Sequence, residues 1–416
     1  MNLINKLREK GLRGLWGGVA RRIGEPLNRS VYRRWSKKPV QENLILLESE
    51  GDFCDNAYAL YDHMRQKGYL EEYEVCWLVD DPTNPRFRDL PNTRFLSKRT
   101  DRYNPELMKA MAQCRWFIYD HNCLYDYLSL PHRQEQTIAY LSHGAGYKAS
   151  KGKPADFVPG FDILFATGQI PADILGTFWN YPVSQVDHAG YPRLDFFFKP
   201  EDPDRQRIRQ LLELDRYSKV FVWMPTFRQS HNKALSEEYL QNETGLPLLG
   251  SRKDLEQLDA QLAQLNALLI LKVHHLQAQL PIFRETFQNI RILQDTQLAQ
   301  MQVQLYQFIP ETDCLITDYS SISVEYTLLD KPIIYTLDDY DAYAASRGFY
   351  PAEPKQYMAG HHIYTTEQLV QAIREICSGS DPYQQARNQT LPALFTYPDG
   401  NASQRILAKL GIKKHS

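Results

Sequence analysis

The chain has 416 residues, 43% of them hydrophobic and 24% charged, with a net charge of −2. That length allows two or three domains with a large core. Beyond its basic first 39 residues the body is acidic, which argues against a nucleic-acid binder, and no run of 18 apolar residues is present to cross a membrane. The six cysteines (Cys54, Cys76, Cys114, Cys123, Cys314 and Cys377) form no CxxC pair, which argues for a reduced protein rather than a disulfide scaffold.

Charge is concentrated at the start. Residues 1–39 hold eleven Lys and Arg against Glu9 and Glu25, a local charge of +9, and leave −11 for the remainder. Leu3, Ile4, Leu7, Leu12, Leu15, Trp16, Val19 and Ile23 recur there at roughly helical spacing. A basic amphipathic helix carrying a Trp is expected to lie on an anionic lipid surface, so residues 1–40 are read as a membrane-associating segment.

From residue 41 short apolar strands alternate with helical stretches. NLILLES (43–49), YEVCWLVD (73–80), WFIYD (116–120), TIAYLSHG (137–144) and DILFATG (162–168) read as strands, and DNAYALYDHMRQKG (55–68) as a helix ending at Gly68. A charge-rich helical stretch, PEDPDRQRIRQLLELD (200–215), interrupts the series. The alternation resumes with KVFVWMPTF (219–227), ALLILKVH (267–274), NIRILQ (289–294), DCLITD (313–318) and PIIYTL (332–337). Continuous apolar strands separated by helices predict parallel sheets buried on both faces. The expected architecture is α/β: a Rossmann-like domain over 41–200 facing another over 201–416 across a cleft.

Polar residues gather just past the carboxyl ends of these strands, where such folds place their sites. SHGAGYK follows one strand, with His143 and Lys148. PTFR follows another, with Thr226 and Arg228. VHH, with His274 and His275, follows a third. TDYSS, with Thr317, Asp318, Ser320 and Ser321, follows a fourth. Behind TDYSS a run at helical spacing, Ile322, Val324, Glu325, Leu328 and Leu329, predicts a helix. Hydroxyls at its start cap it and, with the exposed N–H groups, suit phosphate oxygens. His274 and His275 cannot chelate together, because adjacent strand residues point to opposite faces; His361 and His362 fail for the same reason. No metal site is expected, and Asp318, the nearest candidate, reads equally well as an acid at a helix cap.

The motifs resemble those of the CDP-glycerol glycerophosphotransferases, the teichoic acid primases and polymerases. ESEGDFCDNAYALY, HGAGYK, AGYPRLD (189–195), PTFR, LKVHH, LITDYSSISVEYTLLDKPIIYTLDDYDAYAASRGFY and YPDGNASQRI (397–406) occur in the family's order. The chain departs from the family's pattern at Ala145, Gly146 and Tyr147 and at His275, where a Pro is usual. The resemblance implies a GT-B fold that binds its donor mainly through the C-terminal half. It implies transfer of a polyol phosphate from CDP-glycerol, or alternatively CDP-ribitol, to a lipid-linked or polymer acceptor. With the basic segment, the expected place is peripheral, on the cytoplasmic face of the plasma membrane; the sequence indicates no cofactor, with divalent cation dependence the alternative, and the acidic body makes no nucleic-acid partner expected.

On that reading an acceptor hydroxyl attacks the phosphorus next to the glycerol and displaces CMP. His143 is the expected base, since imidazole titrates near neutrality. His274 would donate to the phosphate or leaving oxygen. Arg228, Thr226, Thr317, Asp318, Ser320 and Ser321 would hold the donor diphosphate. Lys148 and Arg193 would neutralise acceptor phosphate. A nucleotide-sugar transferase of the same architecture, or a non-catalytic membrane scaffold, would not need this set of motifs.

Overall fold

A computed structural model describes residues 24–149, 152–154, 156–226, 242–273 and 277–414. Arg228, His274, His275 and residues 1–23 therefore lie outside the described residues.

Among the described residues twelve strands form two six-stranded sheets, and every neighbouring pair runs parallel. The first sheet contains β1 (Gln41–Glu48), β2 (Glu74–Val79), β3 (Thr93–Ser97), β4 (Cys114–Tyr119), β5 (Thr137–Tyr140) and β6 (Ile163–Leu164), in the order β3-β2-β1-β4-β5-β6. The second contains β7 (Lys219–Trp223), β8 (Ala267–Leu271), β9 (Ile290–Ile292), β10 (Cys314–Thr317), β11 (Ile333–Thr336) and β12 (His361–Ile363), in the order β12-β11-β10-β7-β8-β9. Counted from its own first strand, each sheet has the same order. The order reverses direction between β1 and β4 and again between β7 and β10, and a crevice opens beyond the strand ends at such points. This is the expected GT-B-like pair of Rossmann-like sheets.

The strands are buried on both faces, as their unbroken apolar runs require. Leu44 and Leu46 enter one core with Phe117 and Ile138, while Ile45 and Leu47 enter another with Val75 and Trp77. Val220 and Val222 similarly face away from Phe221 and Trp223. One cluster crosses the halves: Tyr147, Tyr191, Leu194 and Phe196 pack with Leu315, Tyr319 and Ile322.

Two placements differ from expectation. The helix over 24–35 packs on the first sheet's core instead of standing free for a membrane. Tyr32 is buried and donates to the Pro131 carbonyl at 2.5 Å, and buried Asn28 donates to the Arg102 carbonyl at 2.9 Å. The helix Ala402–Lys409, assigned by sequence to the second half, returns to the first. Ile406, Leu407, Leu410 and Ile412 complete the core beside Ile45, Leu47 and Trp116, whose indole N–H donates to the Leu410 carbonyl at 2.9 Å. The reason is local: the apolar stripe of this helix matches the first sheet's open face, and Asp195 accepts from the N–H groups of Ala402 and Ser403 at 2.8 and 2.9 Å.

Candidate active site

A cleft of about 1460 Å³ separates the halves, lined by Glu50, Asp55, His143 and Lys148 on one side and by Thr226, Lys272, Ser320 and Ser321 on the other. Each half contributes the loops at its switch point. From the first sheet come the segment after β1, with Glu50 and Asp55, and Asp120 after β4. From the second come Thr226 after β7 and the TDYSS turn after β10.

Asp120 is fully buried and accepts from the N–H groups of Glu50 and Ala57 at 3.0 and 2.9 Å. It thereby fixes the loop that carries both cleft carboxylates. Burial, then the nearby Asp55 charge, holds the Asp120 carboxyl well above the ordinary range. In this loop Phe53 and Asp55 adopt φ of 59° and 61°, a backbone cost that the Asp120 anchor helps to sustain.

His143 stands half-exposed in the cleft, with Nε2 2.7 Å from Glu50 Oε2 and Nδ1 4.0 Å from Asp55 Oδ2. Burial pulls the imidazole downward, but the Glu50 hydrogen bond and the Asp55 and Glu50 charges outweigh it, and the net shift is upward from the ordinary value. With Nε2–H donated to Glu50, Nδ1 is the basic nitrogen.

The two signature loops touch. Gly144 has φ +99°, and a Cβ there would lie 2.8 Å from Arg193 Nη2 and 2.9 Å from Ser321 Cβ. At Gly146 a Cβ would meet the Tyr319 carbonyl oxygen at 2.6 Å. These glycines let the loop bearing His143 lie directly on the turn bearing Ser320 and Ser321. Beyond them Lys148 forms an antiparallel bridge with Phe349, and Ala149 N–H donates to the Gly348 carbonyl at 3.1 Å.

The expected donor residues divide into two layers. Ser320 and Ser321 line the cleft, and Ser320 takes the N-cap position of the helix Ser321–Tyr326 without a side-chain cap bond. Thr226 also lines the cleft. Asp318 and Thr317 lie beneath, fully buried. Asp318 accepts from Thr226 N–H at 2.8 Å, Thr226 Oγ1 at 2.5 Å and Ser320 N–H at 3.2 Å. The Thr317 hydroxyl donates to the Met224 carbonyl at 2.8 Å. These two were expected on the diphosphate; they instead join the β7 and β10 loops, because strand-end polar groups buried between loops must be satisfied there.

Arg193, expected as a cation for acceptor phosphate, is 3% exposed and already neutralised. Its Nη1 lies 2.6 Å from Asp55 Oδ1, and its Nη2 lies 2.5 Å from Glu325 Oε1 and 3.3 Å from the His143 carbonyl. Its guanidinium also sits 4.5 Å from the Tyr306 ring centroid. Lys148 remains on the cleft wall.

Sequence reasoning missed four cleft or near-cleft groups: Glu50, Asp55, Lys272 and Glu325. Glu50 follows a strand at the switch point within two residues, which is the signal that finds it. Lys272, 2.9 Å from Asp295, stood in the LKVHH motif without a role. Among the described residues no three His, Cys, Asp or Glu side chains are grouped to hold a metal ion.

The family model described as CDP-Glycerol:Poly(glycerophosphate) glycerophosphotransferase matches residues 30–410. The chain is 23% identical over 406 residues to a teichoic acid poly(glycerol phosphate) polymerase of Bacillus spizizenii, covering 91% of this chain and 95% of that one. It spans about half (46%) of the corresponding Bacillus subtilis polymerase. A teichoic acid ribitol-phosphate primase of Bacillus spizizenii is 27% identical, with 88% of this chain and 90% of that one covered. The structure of a variant of the wall teichoic acid polymerase TagF, soaked with CDPG, superposes with a TM-score of 0.73 at 21% identity, covering 99% of this chain and 98% of that one. That likeness speaks to the fold. Matched across nearly its whole described length, the chain belongs to the CDP-glycerol:poly(glycerophosphate) glycerophosphotransferases and is a transferase.

Proposed function

We propose that the chain transfers glycerol phosphate from CDP-glycerol to a hydroxyl of a polymer- or lipid-linked acceptor, with His143 as general base. The acceptor oxygen bonds to the glycerol-bearing phosphorus, its proton passes to His143 Nδ1, and the bond to the departing CMP oxygen breaks. Asp55, 4.0 Å from that nitrogen, then faces the imidazolium, while Glu50 holds Nε2. Ser320 and Ser321 supply donors to the phosphates across the cleft, Thr226 lines the wall beside them with its own donors held by Asp318, and Lys148 meets acceptor phosphate. Arg228 and His274 retain the roles that the motifs imply, on the diphosphate and the leaving oxygen. The observation carrying the proposal is the basic imidazole in a carboxylate pair, lying against the hydroxyl-rich turn of the other half.

A ribitol phosphate donor is the second reading, favoured by the ribitol-phosphate primase relative. Product mass spectrometry with CDP-glycerol and CDP-ribitol separates the two. For the base, His143→Ala is expected to lower turnover by about 10²- to 10⁴-fold. CDP-glycerol affinity and melting temperature should be retained. Wild-type turnover should rise with pH through a limb above about 6.5, because the ring is shifted upward, and the variant should lack that limb. Full turnover in His143→Ala, or a loss in step with folded fraction, would end the assignment.

A further inference from the structure

We propose that Glu325 is a positioning residue for the transfer: from the second half it holds Arg193, and through Arg193 it sets Asp55 against the ring of His143. The inference rests on His143 being the base.

The chain of contacts is short and buried. Glu325 lies in the helix behind TDYSS and is 1% exposed. Its Oε1 takes Arg193 Nη2 at 2.5 Å, and its Oε2 accepts the Tyr306 hydroxyl. The other guanidinium nitrogen of Arg193 holds Asp55 at 2.6 Å, and Nη2 also reaches the His143 carbonyl at 3.3 Å. Arg193 thus grips the base from two sides, by its own main chain and by the carboxylate facing Nδ1. A separate observation shows how little slack exists. A Cβ on Gly144, the residue after the base, would lie 2.9 Å from Glu325 Oε1 and 2.8 Å from Arg193 Nη2.

Charge gives Glu325 a second effect. The groups facing the ring are Glu50 and Asp55 from the loop after β1, Arg193 from the 189–195 segment, and His121, whose ring centroid is 6.1 Å away. Buried Asp120 lies behind Asp55. Arg193 alone would oppose a proton on the ring, and Glu325 compensates that cation from the far side. Burial pushes the Glu325 carboxyl up, while Arg193 and the Tyr306 hydroxyl pull it back. Without the Glu325 charge, Arg193 bears more fully on Asp55 and on the ring. The ring then loses basicity and its fixed position together. Simple adhesion between the halves would produce neither effect.

The test compares pH–rate profiles of wild type, His143→Ala, Glu325→Gln and Glu325→Asp with CDP-glycerol, alongside donor affinity and melting temperature. Glu325→Gln is expected to lower kcat by about 10- to 100-fold, the scale of a misplaced reacting group. Its acid limb should move to lower pH, with donor affinity unchanged. Glu325→Asp keeps the charge on a shorter arm, so its limb should stay at the wild-type pH while kcat falls. A Glu325→Gln limb at the wild-type position overturns the inference and leaves His143 as the base. A wild-type profile with no limb dependent on His143 overturns both. If Glu325→Gln fails to fold, Glu325→Asp decides: wild-type kcat overturns the inference, and a reduced kcat with an unmoved limb supports it.

Discussion

The Asp318 carboxylate accepts from Thr226 and from Ser320 N–H, whereas the serine two residues on faces the cleft. Their substitutions should therefore separate. Asp318→Ala leaves buried donors unmatched and is expected to cost about 1–3 kcal/mol, lowering melting temperature and CDP-glycerol affinity together. Ser320→Ala with Ser321→Ala should weaken CDP-glycerol binding in calorimetry with little change in melting temperature, because Ser320 makes no side-chain cap bond. Unchanged affinity in the double variant would remove the serines from the donor site. A third residue gives a pH signature. Burial raises buried Glu48 to about 7 from 4.5, against the Asn122 N–H bond and Lys98. The folded chain then keeps a proton that the unfolded chain releases between those values, so stability falls as pH rises through that window. Glu48→Gln should accordingly raise melting temperature more at pH 8 than at pH 5. That His143 would line the cleft was legible in sequence, because His-Gly after a strand is a compact signal. Asp55 and Glu325 were not, since each gains meaning only through Arg193, which lies far from both in sequence.

At the scale of elements, the long buried strands were legible because burial on both faces demands unbroken apolar runs. β3 and β12 were missed: both are sheet edges, TRFLS is only partly buried throughout, and HHI is three residues long. An edge strand can be held by its single neighbour without a continuous apolar run, as these two are. The contact between signature loops was equally invisible, since it depends on a missing Cβ at Gly146 meeting a carbonyl 173 residues later. Gly146→Ala should push the TDYSS turn away and lower turnover by more than it lowers melting temperature. Comparable loss of both would mean the contact serves stability alone.

At the scale of the molecule, the two-sheet plan followed from the strand–helix alternation, but the limits of its halves did not. The basic segment divides. Residues 24–35 contribute Asn28 and Tyr32 to the first half, so Tyr32→Ala should lower the melting temperature. The anionic-lipid role expected of residues 1–40 is a proposal for the part of that segment, residues 1–23, that lies outside the described residues. Their deletion should reduce partitioning onto anionic vesicles, and salt should weaken the intact protein's binding. Equal partitioning with and without them would rule out the anchor.

The return of Ala402–Lys409 also orders events during synthesis. Those residues leave the ribosome after the whole second sheet, yet they cover Ile45, Leu47 and Trp116 in the first. Until they arrive, the earlier half presents an apolar face to the cell. A chain cut short anywhere in the second half keeps that face uncovered, and with it a surface that chaperones and proteases bind. Completion of the first half thus reports that translation has passed the second, and a nascent chain has no stage at which the first half is finished alone.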